Sequence, residues 1–277
     1  MDAQTRLAVV GSPITHSKSP ELHLAAYEQL GLDWDYERIE IQAGDLKSFL
    51  QTIDGSWLGL SVTMPLKQEA LALTGWQDET SSLLGVANTL KFNGDEVRSF
   101  NTDVLGAQAA ITSLGVNRHN EAIILGNGAT ASSVLLALFR IGFRSVKALA
   151  RSSSNFEALE RLAEALGVKL TTGPIETDPG EADVIVSTLP GTVGLVRSFP
   201  TSFRTQTPLF DVAYNPSPTP LALHWRDAGG TVTTGLEMLL NQALFQVRIF
   251  VADDPDVELA NESDVLSAMR RAIGLAN

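Results

Sequence analysis

Short apolar runs alternate with amphipathic segments along the first part of the chain. Buried strands are predicted at residues 7–10, 36–41 and 57–62. Apolar positions at helical spacing predict helices at residues 20–30, 44–53 and 65–73. Asn93-Gly94, between apolar segments 88–92 and 96–100, predicts a tight hairpin. This half of the chain therefore combines strand–helix units with one antiparallel pair.

A second alternating unit follows a predicted helix at residues 104–114. It begins with the apolar run 122–125, and further buried strands are predicted at residues 183–188, 209–212 and 231–233. Two helices, at residues 238–251 and 264–275, follow the last strand. The alternation predicts an α/β protein with mainly parallel sheets and helices on both faces. We expect domains at 1–103 and 104–236, with the helices of 237–277 returning to the first domain.

Composition narrows the possible functions. The chain has 277 residues, 44% of them hydrophobic, and a formal net charge of −12. That charge argues against a nucleic-acid-binding surface, and no apolar run approaches the length of a membrane span. The absence of Cys excludes disulfides and thiolate ligands, and four scattered His indicate no metal site. We expect a cytoplasmic protein, because the N-terminus lacks the apolar core of a signal peptide.

The loop GSPITHSKSP, residues 11–20, combines two hydroxyls with a predicted helix start. Ser17 and Ser19 are two residues apart, and Pro20 suits a first helical position. Hydroxyls beside the unpaired N–H groups of a helix start can hold a carboxylate or phosphate. The alternative is that Ser19 only caps the helix.

A glycine-rich turn opens the second unit. Residues 123–125 lead into Gly126-Asn127-Gly128-Ala129-Thr130-Ala131 and then a helix beginning near Ser132. This fits G-x-G-x-x-G/A, in which glycines allow a tight turn and close approach of a pyrophosphate. The turn predicts a dinucleotide site, although an ordinary strand–helix turn is the alternative.

The end of the following strand indicates which dinucleotide binds. NAD sites usually place an acidic residue there for the ribose 2′-hydroxyl. Residues 144–154 contain no acid, and Arg151, Ser152 and Ser153 occupy the place instead. A guanidinium with neighbouring hydroxyls suits a 2′-phosphate. NADP is therefore the predicted cofactor, with a solvated arginine as the alternative.

Polar residues at two predicted strand ends form the candidate chemistry. Thr63 and Lys67 follow one strand, Asp103 follows another, and Asn88 lies in GVANTL. Ligands of α/β sheets bind at the carboxyl ends of the strands. A lysine, a carboxylate and several hydrogen-bonding groups suit a small polyhydroxy acid. Taken singly, Lys67 also suits a solvated helix and Asp103 a helix cap.

Seven motifs together resemble one family. GSPITHSKSP, SVTMPLK, GVANTL, NTD, GNGATA, FDVAYNPSPTPL and GLEMLLNQA occur in the order typical of shikimate dehydrogenases. The resemblance covers nearly the whole chain. It implies reversible reduction of 3-dehydroshikimate to shikimate with NADPH, in the biosynthesis of aromatic amino acids. It also implies a two-domain fold, with an α/β substrate domain, a Rossmann-type domain and a cleft between them.

The resemblance also assigns site residues. It implies that Ser17 and Ser19 hold the substrate carboxylate, and that Lys67 is the general acid–base residue beside Asp103. The implied contacts to the hydroxyls and the rest of the substrate are Thr63, Asn88, Asp103, Gln242 and Tyr214. The implied cofactor contacts are Gly126, Asn127, Gly128, Ala129, Thr130, Arg151, Ser152, Ser153, Val212 and Gly235. Glu79 matches a position sometimes assigned to the cofactor.

Some positions depart from the family pattern. The family often has Asn where this chain has Ser61, Asn where it has Ala150, and a second Arg where it has Asn155. In this chain, a single guanidinium, that of Arg151, must therefore hold the 2′-phosphate, which in the family is often held by two. An NAD-preferring quinate/shikimate dehydrogenase is one alternative, and a non-catalytic NADP- or shikimate-sensing module is another. The sequence leaves the oligomeric state open, with a homodimer as one arrangement.

Overall fold

The computed structural model describes residues 4–152, 156–194 and 197–276. These residues form two compact units. The first contains the described residues up to Thr102 together with those from Gln242 onward, and the second spans Asp103–Asn241. The described residues from Gln242 onward thus belong to the same unit as the N-terminal strands.

A six-stranded mixed sheet forms the centre of the first unit. Its strands are β1 (Thr5–Gly11), β2 (Trp34–Glu40), β3 (Trp57–Val62), β4 (Trp76–Gln77), β5 (Thr89–Asn93) and β6 (Glu96–Phe100). Their spatial order is β2-β1-β3-β5-β6-β4. β1 pairs in parallel with β2 and β3, whereas β5 is antiparallel to β3 and β6. The predicted hairpin is confirmed, with Gly94 at its turn at φ 62°.

Four helices connect these strands. They are α1 (Ser19–Leu30), α2 (Leu46–Leu50), α3 (Lys67–Ala72) and α4 (Glu79–Leu84). The predicted start of α3 at residue 65 is wrong by two residues. The Leu66 N–H donates to the Thr63 carbonyl at 2.9 Å, so Pro65 lies in a turn before the helix. The sequence pattern did not reveal α4, in which the Asp78 side chain accepts the Ser81 N–H at 2.7 Å as a helix cap.

The second unit contains an all-parallel sheet. Its strands are β7 (Ala122–Leu125), β8 (Ser145–Ala150), β9 (Lys169–Pro174), β10 (Val184–Ser187), β11 (Leu209–Asp211) and β12 (Val232–Thr234). The order β9-β8-β7-β10-β11-β12 corresponds to 3-2-1-4-5-6, the order of dinucleotide-binding sheets. Central strands buried on both faces, such as β7 and β10, explain the continuous apolar runs of the sequence.

Helices cover this sheet. They are α5 (Asp103–Thr112), α6 (Ala129–Ile141), α7 (Glu157–Leu166), α8 (Thr201–Gln206) and α9 (Pro220–Asp227). α6 begins three residues before the predicted Ser132. Ile123, Leu125, Ile185, Leu209 and Trp225 belong to one buried cluster of this unit.

Two helices complete the chain. α10 spans Gly235–Ala252, and α11 spans Glu262–Ala272 and packs against α1. Gly59 of β3 lies against α10, because a Cβ there would lie 2.6 Å from the Phe250 ring. None of the described helices is both long and apolar enough to cross a membrane.

Candidate functional site

Two loops at the carboxyl ends of β1 and β3 lie against each other in the first unit. The Ser12 N–H donates to the Met64 carbonyl at 3.0 Å, and the Thr63 N–H donates to the Val10 carbonyl at 2.9 Å. A Cβ at Gly11 would lie 2.7 Å from the Met64 oxygen, so this approach requires glycine. The loop carrying the serine pair and the loop carrying Thr63 thus meet at one edge of the sheet.

The predicted serine pair is formed in the structure. The Ser17 and Ser19 Oγ atoms are 3.2 Å apart, and the Ser19 N–H donates to Ser17 Oγ at 3.3 Å. Ser19 is buried, whereas Ser17 is partly exposed. The helix-cap alternative is wrong, because Lys18 is the cap residue of α1 and no side-chain cap bond is found there among the described residues. The two hydroxyls form a small polar cluster at the start of a twelve-residue helix.

Arg38 holds the serine loop in place and was not singled out from the sequence. Its Nε and Nη2 donate to the Ser17 carbonyl at 2.8 and 2.6 Å. The same guanidinium pairs with the Glu21 carboxylate at 2.7 Å. Because Arg38 lies on β2 and Glu21 on α1, this contact anchors the loop to two elements.

Lys67 and Asn88 lie on neighbouring backbone segments. Lys67 is the first residue of α3 and is partly buried, and its carbonyl accepts the Ala87 N–H at 2.9 Å. Asn88 follows directly. The end of β3, the start of α3 and the start of β5 therefore carry Thr63, Lys67 and Asn88 at the same part of the unit.

Asn88 is fixed by hydrogen bonds on both ends of its amide. Its Nδ2 donates to Thr102 Oγ1 at 2.9 Å and to Gln242 Oε1 at 3.3 Å, and its Oδ1 accepts the Thr102 N–H at 2.9 Å. The structure thus brings Asn88 and Gln242 together although they are 154 residues apart. Asp103 follows Thr102 as the first residue of α5 and of the second unit.

A buried polar network lies beside these residues and was missed from the sequence. Its members are His23, Tyr36, Ser61 and Gln246. His23 stacks on Tyr36 with ring centroids 4.1 Å apart, and its Nε2 is 3.2 Å from Gln246 Oε1. Burial lowers the pKa of His23 to about 3, opposed by the hydrogen bond to Gln246. The one available signal was Ser61, a polar residue within an apolar strand.

The folded protein should lose stability as pH falls below 6.5, in part through His23. The unfolded chain protonates His23 near its ordinary pKa of 6.5, whereas the folded protein resists protonation down to about 3. The stabilising contribution is therefore complete above pH 6.5 and is lost toward pH 3, by about 1.4 kcal/mol per pH unit. Denaturant unfolding at several pH values gives the free energy of unfolding as a function of pH. Below pH 6.5 this free energy should fall less steeply for His23→Gln than for the parent or for the control His16→Gln. An equal fall in all three proteins would contradict the role of His23.

The glycine-rich turn of the second unit has the geometry of an anion site. Gly126 has φ 113°, and its N–H donates to the Leu149 carbonyl at 2.8 Å. Gly128 is the cap residue of α6, and, apart from Gly128 and its chain neighbours, no atom of the described residues lies within 4 Å of the position that a Cβ would take there. Ala129 and Thr130 begin the helix, and Ala131 is buried. The N-terminus of α6 is therefore open to a phosphate group.

The glycine turn is linked to the end of β8. Asn127 Nδ2 donates to the Ser152 carbonyl at 2.8 Å. Arg151 directly follows β8, and both Arg151 and Ser152 are exposed. Ser153 lies outside the described residues. The structure thus joins two of the predicted cofactor segments by a direct hydrogen bond.

The ends of β11 and β12 also meet. A Cβ at Gly235 would lie 2.6 Å from the Val212 carbonyl carbon, so glycine is required at the start of α10. Tyr214 is partly buried, and that burial raises its pKa. Asp211 was not predicted as a site residue. It is buried, which raises its pKa, and it accepts hydrogen bonds from the Thr219 hydroxyl and, at 3.4 Å, from the Ala213 N–H.

Comparison with known proteins identifies the family. Residues 9–90 match the family model for the shikimate dehydrogenase substrate-binding domain. A "Shikimate dehydrogenase (NADP(+))" from Bartonella quintana is 32% identical over 96% of this chain and 94% of its own length. The chain belongs to the shikimate dehydrogenase family.

Solved structures of the family have the same fold. The shikimate 5-dehydrogenase of Mycobacterium fortuitum is 36% identical, with a TM-score of 0.84 over 97% of this chain and 98% of its own. The Thermus thermophilus enzyme, in complex with NADP(H) and shikimate, is 30% identical, with a TM-score of 0.81 over 97% of this chain and 100% of its own. The predicted two-domain α/β fold with a Rossmann-type unit is confirmed.

Proposed function

We propose that this chain is an NADP-dependent shikimate dehydrogenase, which reversibly reduces 3-dehydroshikimate to shikimate in aromatic amino-acid biosynthesis. The observation that carries the proposal is the 32% identity to an NADP(+)-dependent shikimate dehydrogenase over 96% of the chain. The geometry of both units supports it. The first unit presents hydroxyls, amides and a lysine at one sheet edge, and the second presents an open helix N-terminus beside Arg151.

The serine pair suits the carboxylate of the substrate. Two hydroxyls at 3.2 Å can donate to the two oxygens of one carboxylate. Thr63, Asn88, Asp103 and Gln242 are proposed to bind the substrate hydroxyls, with Tyr214 as a further contact. The amide of Asn88 is already fixed by Thr102 and Gln242, so its orientation is set before substrate arrives.

Lys67 is proposed to transfer the proton. When bound, NADPH supplies the hydride to the carbonyl carbon of 3-dehydroshikimate. A protonated Lys67 ammonium donates a proton to the carbonyl oxygen as negative charge develops there. In the reverse direction, the Lys67 amine would accept the proton of the shikimate hydroxyl that is oxidised. Asp103 is proposed as the second catalytic residue.

The second unit fits NADP. Gly126, Asn127, Gly128, Ala129 and Thr130 would hold the pyrophosphate against the N-terminus of α6. Arg151 and Ser152, with Ser153, would hold the 2′-phosphate, while Val212 and Gly235 would lie near the nicotinamide end. The absence of an acid at residues 144–154 disfavours the NAD-preferring quinate/shikimate dehydrogenase.

Arg151→Ala should weaken the binding of NADP far more than the binding of NAD. The guanidinium makes a charge-assisted contact that NAD lacks, so the preference for NADP should narrow by about tenfold at low salt. Ser152 retains part of the phosphate binding. The measurement is kcat/KM for both cofactors. Arg161→Ala, which removes a charge from an exposed ion pair on α7, is the matched control and should change neither value. Parallel losses for NADP and NAD would mean that Arg151 only supports the loop.

The cellular setting is also proposed. We place the enzyme in the cytoplasm, where an acidic and cysteine-free composition is ordinary, and keep a homodimer as the arrangement to test by light scattering. A non-catalytic sensing module is the second candidate, because binding residues alone would serve it. Lys67 argues against that candidate, since a sensor needs no proton donor.

The reductive reaction tests the proposed function. Purified protein should consume NADPH only when 3-dehydroshikimate is added, as followed by the near-ultraviolet absorbance of NADPH. Chromatography with mass detection should identify shikimate as the product. Binding of both ligands without turnover would favour the sensing module.

A further inference from the structure

The segment of residues 212–219, between β11 and α9, carries two of the contacts proposed above. Val212 is proposed to lie near the nicotinamide end of the cofactor, and Tyr214 is proposed to contact the substrate. Residues 212–219 form neither helix nor strand. The course of this segment therefore depends on side-chain contacts and not on the hydrogen bonds of a regular element.

Asp211 joins the two ends of this segment. Its Oδ2 accepts a hydrogen bond from the Thr219 hydroxyl, and its Oδ1 accepts one from the Ala213 N–H at 3.4 Å. Thr219 is also the cap residue of α9, where its Oγ1 accepts the Ala222 N–H at 3.0 Å. A carboxylate that is 1% exposed thus bonds to the beginning and the end of the segment.

Both partners of Asp211 are hydrogen-bond donors. The Ala213 N–H can only donate, and the Thr219 hydroxyl directs its single proton to the carboxylate. A carboxylate offers two acceptor oxygens, whereas an amide of the same size offers one oxygen and one NH2 group. The position therefore suits Asp better than Asn, because Asn keeps an acceptor for only one of the two donors.

Packing leaves space beside this carboxylate. The loop after β10 touches the segment at Gly191, where a Cβ would lie 2.5 Å from the Asn215 oxygen. Asp211 and Thr219 nevertheless line a cavity together with Gly191 and Leu189. Because close packing is incomplete there, the hydrogen bonds of Asp211 are the main restraint on the segment.

We propose that Asp211 is a positioning residue, which holds Val212 and Tyr214 in the arrangement that hydride transfer needs. This role rests on the proposed function. The phosphates of NADP are proposed to bind at the start of α6 and at Arg151, so most of the affinity for NADP comes from other residues. Hydride transfer depends on orientation, and a misplacement of about 1 Å can cost about 10²-fold in rate. Loosening the segment should therefore reduce turnover more than binding.

Asp211→Asn should lower kcat about tenfold, while the Kd for NADP, measured by calorimetry, changes less than about twofold. A second measurement needs no ligand and no activity. Hydrogen–deuterium exchange of residues 212–219 in the free protein should become about fivefold faster, because one restraint on the segment is lost.

Asp183→Asn is the matched control. Asp183 directly precedes β10, at the opposite end of the strands from Asp211, and its Oδ2 accepts the Asn120 N–H at 2.7 Å. The substitution thus alters a similar carboxylate in the same unit. It should change neither kcat nor the exchange of residues 212–219.

Two variants of Thr219 test the hydrogen bond itself. Thr219→Ser keeps the hydroxyl and should keep kcat within about twofold of the parent, whereas Thr219→Val loses it and should lower kcat about tenfold. The double variant Asp211→Asn/Thr219→Val should be less than about twofold slower than the slower single variant, because both side chains act through one contact. Thermal unfolding verifies that each variant is folded.

Each outcome has a definite meaning. An unchanged kcat or unchanged exchange of residues 212–219 in Asp211→Asn would overturn this role, as would a Kd for NADP that rises as much as kcat falls. Thr219→Ser as slow as Thr219→Val, or equal losses in Asp183→Asn, would also overturn it. If the parent failed to oxidise shikimate, the proposed function would be wrong and this role with it. Normal oxidation by the parent with an unchanged Asp211→Asn would overturn only the positioning role.

Discussion

Lys67→Ala should lower kcat about 10²-fold or more in both directions, while the KM for shikimate changes much less. In the proposed mechanism, the Lys67 ammonium acts when charge develops on the carbonyl oxygen, and not in initial binding. Its position at the first turn of α3, beside the backbone of Ala87 and Asn88, is set by hydrogen bonds of the main chain that alanine retains. The fold should therefore survive the substitution.

Steady-state kinetics in both directions measure this effect. Lys47→Ala is the matched control, because it removes an exposed lysine from α2 of the same unit and should leave kcat unchanged. A Lys67→Ala enzyme with near-normal kcat would show that another group transfers the proton. A rise in KM alone would make Lys67 a binding residue.

The double variant Ser17→Ala/Ser19→Ala should raise the KM for shikimate about 10²-fold. Hydrogen bonds to a charged group contribute about 1.5–3 kcal/mol each, and about 1.4 kcal/mol corresponds to tenfold in affinity. Each single variant should therefore raise KM about tenfold. The KM for NADP should not change.

The control for the serine pair is Ser82→Ala. Ser82 is an exposed residue of α4, and its hydroxyl donates to Gln77 in the same unit. Its loss should leave the KM for shikimate unchanged. An equal loss of affinity for shikimate and NADP in the double serine variant would indicate a folding defect. The assignment of the serine pair as the carboxylate site would then be wrong.

Local features of the fold were predictable from the sequence. The Asn93-Gly94 turn forms the hairpin because both flanking segments carry strand patterns. The strand ending at Leu125 and the glycine turn after it were predictable because the backbone conformation there needs glycine, as the positive φ of Gly126 shows. In both places the residues that decide the structure are adjacent in sequence.

Features that depend on distant contacts were not predictable. The Ser61 hydroxyl donates a hydrogen bond to Gln246, 185 residues away, and no local sequence pattern indicates that contact. β4 has only two residues, and α4 has too few apolar positions to show a helical period. The paired serines could be proposed from the sequence, but the network of Tyr36, Ser61 and His23 behind them required the folded chain. The residue roles at the site stay predictions.

One comparison tests the central claim most directly. The initial rate of cofactor reduction is measured with shikimate or quinate and with NADP or NAD, in four separate reactions. We predict a rapid initial rate for NADP with shikimate and a much lower initial rate in each of the other three reactions. Fastest reduction of NAD with quinate would contradict the proposed function, and no reduction in any of the four would show that the chain is not a shikimate dehydrogenase.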